Sequence, residues 1–428
     1  MIRRILAGTS AAAVLSACAY PPAALAQTGA RSPKPDPVLE WNAVALRTTA
    51  AAPFNPPLES RSMAIVHAAM FDAVNSIVGE FQPYAVDLHA RDGSSPEAAA
   101  VAAAHLVLVR LYPDQNAALD AMYAVSIEGI PGGRGKAGGL AVGESVASRV
   151  LALRAGDGAE AAVAAPFTPG AAPGDWTPTP PAFRPALDPG WGSVKPFCME
   201  SGSQFRPGPP PARDGGTYAR DYEEIKGVGS DASPTRTQAE TDLARFWIAT
   251  AAQNWNPVAR LVAAAQRQTL SQNARAFALL NLAGADAFIA AWDAKFAYAQ
   301  WRPVTAIRAA GRVGSPGSAD PTWTPLLVTP PFPDYIAGHT AYAGAAEEAL
   351  NHVFGRHPGV ALTLTSATAP GVALTYGTFD EIADGVVEAR ILGGIHWRTS
   401  SERGRIVGER VGRYVGEHCL KPMHRERE

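Results

Sequence analysis

An all-α fold follows from three features of this 428-residue sequence. Apolar residues recur at helical spacing over long stretches, alanine-rich segments open on cap signals and close on Pro or Gly, and short alternating strands are almost wanting. With 47% hydrophobic and 18% charged residues, the chain can bury a large core. Helical bundles in one large domain, joined by long proline-rich loops, are therefore expected. The formal net charge of −2 argues against a general nucleic-acid binder, so any anion chemistry must come from a local cluster of cations.

The first residues read as a leader. Arg3 and Arg4 give a positive start, an apolar stretch runs from Ile5 to Val14, and "ALA" at Ala24–Ala26 precedes Gln27. Residues 1–26 are expected to be a signal peptide, placing the mature protein in the periplasm or outside the cell. "LSAC", Leu15 to Cys18, also resembles a lipobox, which would leave Cys18 lipidated; the small-x-small pattern at the later site favours plain cleavage. No later run reaches the ~18 apolar residues of a membrane span. Beyond Cys18, the cysteines are Cys198 and Cys419. An oxidising compartment permits a bridge between them, and the sequence leaves open whether they meet.

Residues 27–60 are rich in proline and are expected to wrap the surface; residues 61–428 are expected to form a single helical domain. "SRSMAIVHAAMFDAVNSIVG" from Ser60 to Gly79 reads as a core helix in which His67, Asp72 and Asn75 form a hydrogen-bonded polar set. "SPEAAAVAAAHLVLVRLYP" is a second helix, with a serine cap signal at its start and Pro113 at its end. Residues 115–155 are helix-rich with a break at Gly132 and Gly133. Eight prolines between Pro166 and Pro189, and "QFRPGPPPARDG" at Gln204–Gly215, mark irregular connections. Helices resume with "YARDYEEIKGVG", "TQAETDLARFWIATA" and "NPVARLVAAAQRQT", then a long alanine-rich stretch from Asn273 to Trp301.

The residues that suggest chemistry lie between 292 and 404. In "WDAKFAYAQWRPVTAIR", Trp292–Arg308, Lys295 and Arg302 stand seven apart. Two helical turns would bring them to one face, with Pro303 ending the helix at Arg302. Trp292, Phe296 and Trp301 mark that face as buried, and a buried cation needs a partner. "PFPDYIAGHTAYAGAAEEAL", Pro331–Leu350, places Gly338 and His339 at a helix start, where unpaired N–H groups and the helix dipole favour an anion. "EARILGGIHWRTSSERG", Glu388–Gly404, adds Arg390 and His396, with Gly393 and Gly394 interrupting one helix. Thr399 and Glu402 have capping-box spacing, so the next helix is expected to begin just after His396. Arg398, Arg403 and Arg405 are expected on the surface. Asp72, Asp286 and Glu388 are expected to make structural hydrogen bonds or ion pairs. Together, Lys295, Arg302, His339, Arg390 and His396 suit a tetrahedral oxyanion: arginine forks take two oxygens at once, lysine gives a point charge, and Gly338 adds an amide.

At these positions the sequence resembles the vanadium-dependent haloperoxidases and the related type 2 phosphatidic acid phosphatases. That superfamily is marked by a lysine seven before Arg-Pro, a Ser-Gly-His, and an arginine six before a histidine; here they read "KFAYAQWRP", "AGH" and "ARILGGIH", in that order. "TPPFPDYIAGHTAY", "PFCMESGSQFRPGPPP" and "HAAMFDAVN" resemble bacterial members of the haloperoxidase branch. The resemblance implies two helical bundles in one domain and vanadate as cofactor. It implies that Lys295, Arg302 and Arg390 bind vanadate oxygens, that Gly338 offers its amide, and that His396 coordinates vanadium. His339 would be the acid–base, Lys295 would polarise a bound peroxide, and Trp292 and Phe332 would line the pocket near the halide. Two positions depart from the pattern. The serine of Ser-Gly-His is Ala337, and the aspartate often found four after the metal-bound histidine is Ser400.

The expected activity is oxidation of halide by hydrogen peroxide, with an organic acceptor. One alternative is an acid phosphatase in which His396 attacks phosphorus and His339 protonates the leaving oxygen. Another is a non-catalytic oxyanion-binding relative, for which Ala337 and Ser400 speak.

Overall fold

The computed structural model describes residues 36–309 and 316–423. The expected leader, with Cys18, lies outside the described residues. From Asp36 onward the chain is one compact unit.

Helix α1 (Pro37–Ala50) starts where the Asp36 carboxylate accepts the amides of Val38 and Leu39, with Pro37 in the first turn. The expectation that residues 27–60 wrap the surface fails here: Trp41, Val44 and Ala45 lie in the main core, so α1 belongs to the helical domain. The prolines at 37, 56 and 57 start helices, because a first-turn residue needs no N–H partner. Helix α2 (Pro56–Val78) is buried along most of its length, and Gly79 ends it at φ 68°. Helix α3 (Pro96–Leu111) is capped by Ser95, α4 (Asn116–Glu128) follows, and the Gly132–Gly133 break precedes α5 (Arg134–Ala155). Short α6 (Ala159–Ala164) closes this half. Helices α3 and α5 approach closely because a side chain at Gly139 or Gly143 would strike the backbone of Ser95 or Ala99.

The second half contains α7 (Gly216–Val228), α8 (Gln238–Phe246), α9 (Ala251–Gln266), α10 (Leu270–Tyr298), α11 (Pro303–Ala309), α12 (Gly338–Phe354), α13 (Phe379–Leu392) and α14 (Arg398–His418). Helix α10 packs against α2 on one side and against α12 and α14 on the other, so it joins the two groups of helices. Among the described residues it is also the one helix long and apolar enough to cross a membrane, but 94% of its apolar window is buried in this fold.

Four local expectations are corrected. Strands β1 (Leu362–Ser366) and β2 (Ala369–Tyr376) form an antiparallel hairpin, with Leu362 opposite Tyr376; Leu362 and Leu364 face inward in a period of two that the all-α reading passed over. "TQAETDLARFWIATA" is not one helix: α8 stops at Phe246 and α9 begins at Ala251. Arg302 is not on the Lys295 helix, because α10 ends at Tyr298 with Ala299 left-handed at φ 44°, and Pro303 begins α11 rather than ending α10. No side chain caps α14, and Glu402 faces Arg398 at 3.7 Å instead.

Asp72 and Asp286 act as backbone clamps, as expected. Asp72 accepts the amides of Tyr84, Ala85 and Val86, and Asp286 those of Phe197, Cys198 and Met199. Cys198 and Cys419 form a disulfide across a separation of 221 residues.

Candidate oxyanion site

Three segments far apart in sequence meet at one buried point. Lys295 projects from the last turn of α10, Arg302 from the loop that follows, and Arg390 from the last turn of α13; all are buried. His396 sits between α13 and α14. The turn that carries it needs glycine, because Gly394 has φ 74° and a side chain there would strike the Gly229 carbonyl and the Pro325 ring. Trp397 packs beside it on Tyr218 and Tyr222.

The polar contacts are specific. Lys295 Nζ donates to the carbonyls of Pro333 (2.7 Å) and Asp334 (3.0 Å), which leaves one of its three protons. Arg302 Nε donates to the Phe332 carbonyl at 2.8 Å; its Nη1 donates to the Ile395 carbonyl at 2.6 Å and lies 3.0 Å from His396 Nε2. Arg390 Nη2 donates to the Trp247 carbonyl at 2.6 Å. His339 is half-buried at the start of α12, with Nε2 3.0 Å from the Ala249 carbonyl. The break between α8 and α9 thus supplies two carbonyls to the site.

Gly338 is the first residue of α12, so its amide has no partner inside the helix. A Cβ there would meet Phe288 and Trp292 at 3.1 Å. Trp292 and Phe332 pack with ring centroids 4.9 Å apart. Phe332 also receives Lys295 Nζ at 4.8 Å and the Arg302 guanidinium at 4.9 Å, so it acts as a wall for both cations.

The proline-rich loops brace this site. The Leu187 amide donates to the Pro331 carbonyl at 2.8 Å and the Leu187 carbonyl accepts from Trp292 Nε1 at 3.2 Å. Tyr298 and Tyr335 donate to the carbonyls of Pro207 and Gly208. Arg398, expected on the surface, pairs with Glu224 and Glu388 at 2.7 Å, pinning the start of α14 to α7 and α13. Arg405 likewise pairs with the buried Glu347.

Sequence reasoning missed Asp334. Its carboxylate is fully buried, with Oδ1 3.0 Å from His396 Nδ1 and 3.8 Å from Arg302 Nη1. A signal was present, since Asp334 lies five residues before His339 in the loop quoted for the histidine.

Electrostatics make the site electron-poor. Three cations face one carboxylate. Burial, with Arg302, holds Lys295 well below its usual range. Burial and then Arg390 lower His339 to about 3, and His396 falls well below its usual value through burial, Arg302, Lys295 and Arg390. Burial raises Asp334 to about 7, against the pull of Arg302 and Lys295. Two buried donors, Arg302 Nη2 and Arg390 Nε, meet no protein acceptor. Leaving such groups unpaired costs about 1–3 kcal/mol each, more for charged groups. A tetrahedral oxyanion supplies both the acceptors and the missing negative charge, so the residues present fit vanadate or phosphate.

Residues 275–425 match the family described as the VCPO second helical-bundle domain. Over 401 residues the chain is 26% identical to the vanadium chloroperoxidase of Curvularia inaequalis, covering 74% of this chain and 65% of that relative. The crystal structure of the first bacterial vanadium-dependent iodoperoxidase superposes with a TM-score of 0.79 at 27% identity, covering 91% of this chain and 98% of that one. An apo-type bacterial vanadium-dependent chloroperoxidase gives a TM-score of 0.73 at 19% identity, covering 86% and 94%, and shows the same fold. The chain spans about two thirds of the length of the fungal relative.

Proposed function

We propose that the chain is a member of the vanadium-dependent haloperoxidase family, a vanadate-dependent peroxidase that oxidises halide with hydrogen peroxide. The observation that carries this is the pair of buried guanidinium N–H donors, on Arg302 and Arg390, that meet no protein acceptor in a cluster of mutually coupled cations. Vanadate, when bound, would activate hydrogen peroxide toward attack by a halide ion. Arg302 Nη2, Arg390 Nε, the remaining proton of Lys295 and the Gly338 amide would hold the oxygens of the anion. His396 Nε2 is the nitrogen left for the metal, because Nδ1 faces Asp334. His339 holds or moves a proton at Nδ1, because its Nε2–H is committed to the Ala249 carbonyl. In the cage of cations both imidazoles are poor bases; an anion's charge raises their proton affinity where it is needed. Trp292 and Phe332 exclude water from one wall.

The named relatives support peroxidase over phosphatase chemistry: one is a chloroperoxidase and another an iodoperoxidase. Ala337 withholds a hydroxyl from the anion. Export also belongs to this proposal. The Cys198–Cys419 disulfide supports it, since such bridges persist in oxidising compartments. N-terminal sequencing of the mature protein should begin at Gln27; a lipidated Cys18 would replace that reading.

The test is bromination of an organic acceptor by purified mature protein with bromide and hydrogen peroxide. Turnover that requires added orthovanadate and disappears in His396→Ala supports the proposal. Phosphate release by the vanadate-free protein, inhibited by vanadate, would replace it with the phosphatase reading. Silence in both assays would leave an oxyanion-binding relative.

A further inference from the structure

We propose that Asp334 is the positioning residue that orients His396, supplying from the loop before α12 a carboxylate that position 400 of α14 does not provide. The inference rests on the oxyanion reading of the site. Three observations carry it. Asp334 Oδ1 lies 3.0 Å from His396 Nδ1, and both residues are buried. The hydroxyl of Ser400 is spent on the Asp334 main-chain carbonyl at 3.1 Å, so the residue at 400 holds the loop that carries Asp334. That same carbonyl accepts Lys295 Nζ at 3.0 Å, and the Asp334 amide donates to the Gln300 carbonyl at 2.9 Å. The main chain of Asp334 is therefore held on three sides by the segments that build the site, and its buried carboxylate oxygens, which accept no hydrogen bond there, stand beside His396 and Arg302.

A buried carboxylate oxygen with no other donor, 3.0 Å from Nδ1, favours the ring proton at that nitrogen and leaves Nε2 as the acceptor. Arg302 Nη1 stands beside the same ring, 3.3 Å from Nδ1 and 3.0 Å from Nε2.

A competing role exists for a carboxylate among cations: it could fill the site as a built-in anion and weaken binding of an external one. The two roles give opposite signs. Orthovanadate titrated calorimetrically into Asp334→Ala should bind about 10–100-fold more weakly than into the parent. Asp334→Asn should lose less, because its amide oxygen still accepts the Nδ1 proton. Equal or tighter binding by both variants overturns the proposal.

A second measurement needs no vanadate. In protein carrying nitrogen-15 histidine, the resonances of His396, assigned with His396→Gln, should show a proton on Nδ1 that is strongly deshielded. It should move upfield in Asp334→Ala and Asp334→Asn. A parent His396 protonated on Nε2 alone, or an Nδ1 proton unmoved by the substitutions, overturns the proposal. Should the parent bind no orthovanadate, the oxyanion reading falls, and the resonance still decides the part assigned to Asp334. Should Asp334→Ala fail to fold, Asp334→Asn and the parent spectrum carry the test.

Discussion

Arg302 Nη1 stands 3.0 Å from His396 Nε2, although 94 positions separate the two residues. Nη1 is also 3.3 Å from Nδ1, so the guanidinium lies against the ring, and it is tolerated there because burial and the neighbouring cations keep the imidazole neutral. The contact ties the loop after α10 to the turn before α14, and it fixes where an anion can sit.

Replacing Ala337 by Ser should strengthen that site. Ala337 is the N-cap of α12 and makes no side-chain hydrogen bond. A hydroxyl there could take an anion oxygen, worth about 0.5–1.5 kcal/mol, so the orthovanadate Kd should fall about two- to tenfold. An unchanged Kd with a raised melting temperature would mean that the hydroxyl caps the helix instead.

Helices α12 and α14 touch backbone to backbone, and the site depends on it. A Cβ at Gly408 would strike the Ala341 carbonyl, and one at Gly404 would strike Thr340 Oγ1 and Ala337. Gly408→Ala should destabilise the fold by about 1–3 kcal/mol and lower orthovanadate affinity, since α12 carries Gly338 and His339. A denaturation midpoint equal to the parent's would refute this account of the interface.

Acid sensitivity should come in part from His67, far from the site. Its Nε2 accepts from Asn42 Nδ2 at 2.9 Å, and burial followed by Arg260 lowers it to about 3. Between roughly pH 3 and 6.5 the unfolded chain binds a proton there that the folded chain does not, so stability must fall as pH falls through that window. The stability difference between parent and His67→Gln should change by about 1.4 kcal/mol per pH unit within it and stay flat above. A pH-independent difference would show that His67 titrates normally.

The disulfide should contribute about 2–5 kcal/mol, since it closes a very long loop. Cys198→Ser with Cys419→Ser should lower the denaturation midpoint, and reductant should lower that of the parent alone. Equal midpoints with and without reductant would contradict a role in stability.

Much of the site was legible because its residues stand at characteristic spacings next to Gly and Pro. Lys295, Arg302, His339, Arg390 and His396 converge as expected. The route did not: Arg302 reaches the site from a loop, because Ala299 leaves the helix before Pro303 could end it. Asp334 was hidden because its role comes from contacts with Lys295, Arg302, His396 and Ser400, all distant in the chain, that no local pattern encodes. The β1–β2 hairpin was overlooked for a different reason: its threonines and leucines alternate over only five residues in β1, too short a run to stand out among helices. The break at residues 247–250 carries no Gly or Pro; its carbonyls are taken by Arg390 and His339, and that of Phe246 just before it by Ser366 and Thr368, all distant in sequence.

The central claim is that distant cations build one oxyanion site. Calorimetric titration of orthovanadate into the parent and into Arg302→Ala, Arg390→Ala and Lys295→Ala tests it most directly. One site per chain is expected in the parent, with each variant weaker by at least about tenfold, the scale of losing one charged hydrogen bond. Parent-like affinity in all three variants, or no binding to the parent, would contradict it.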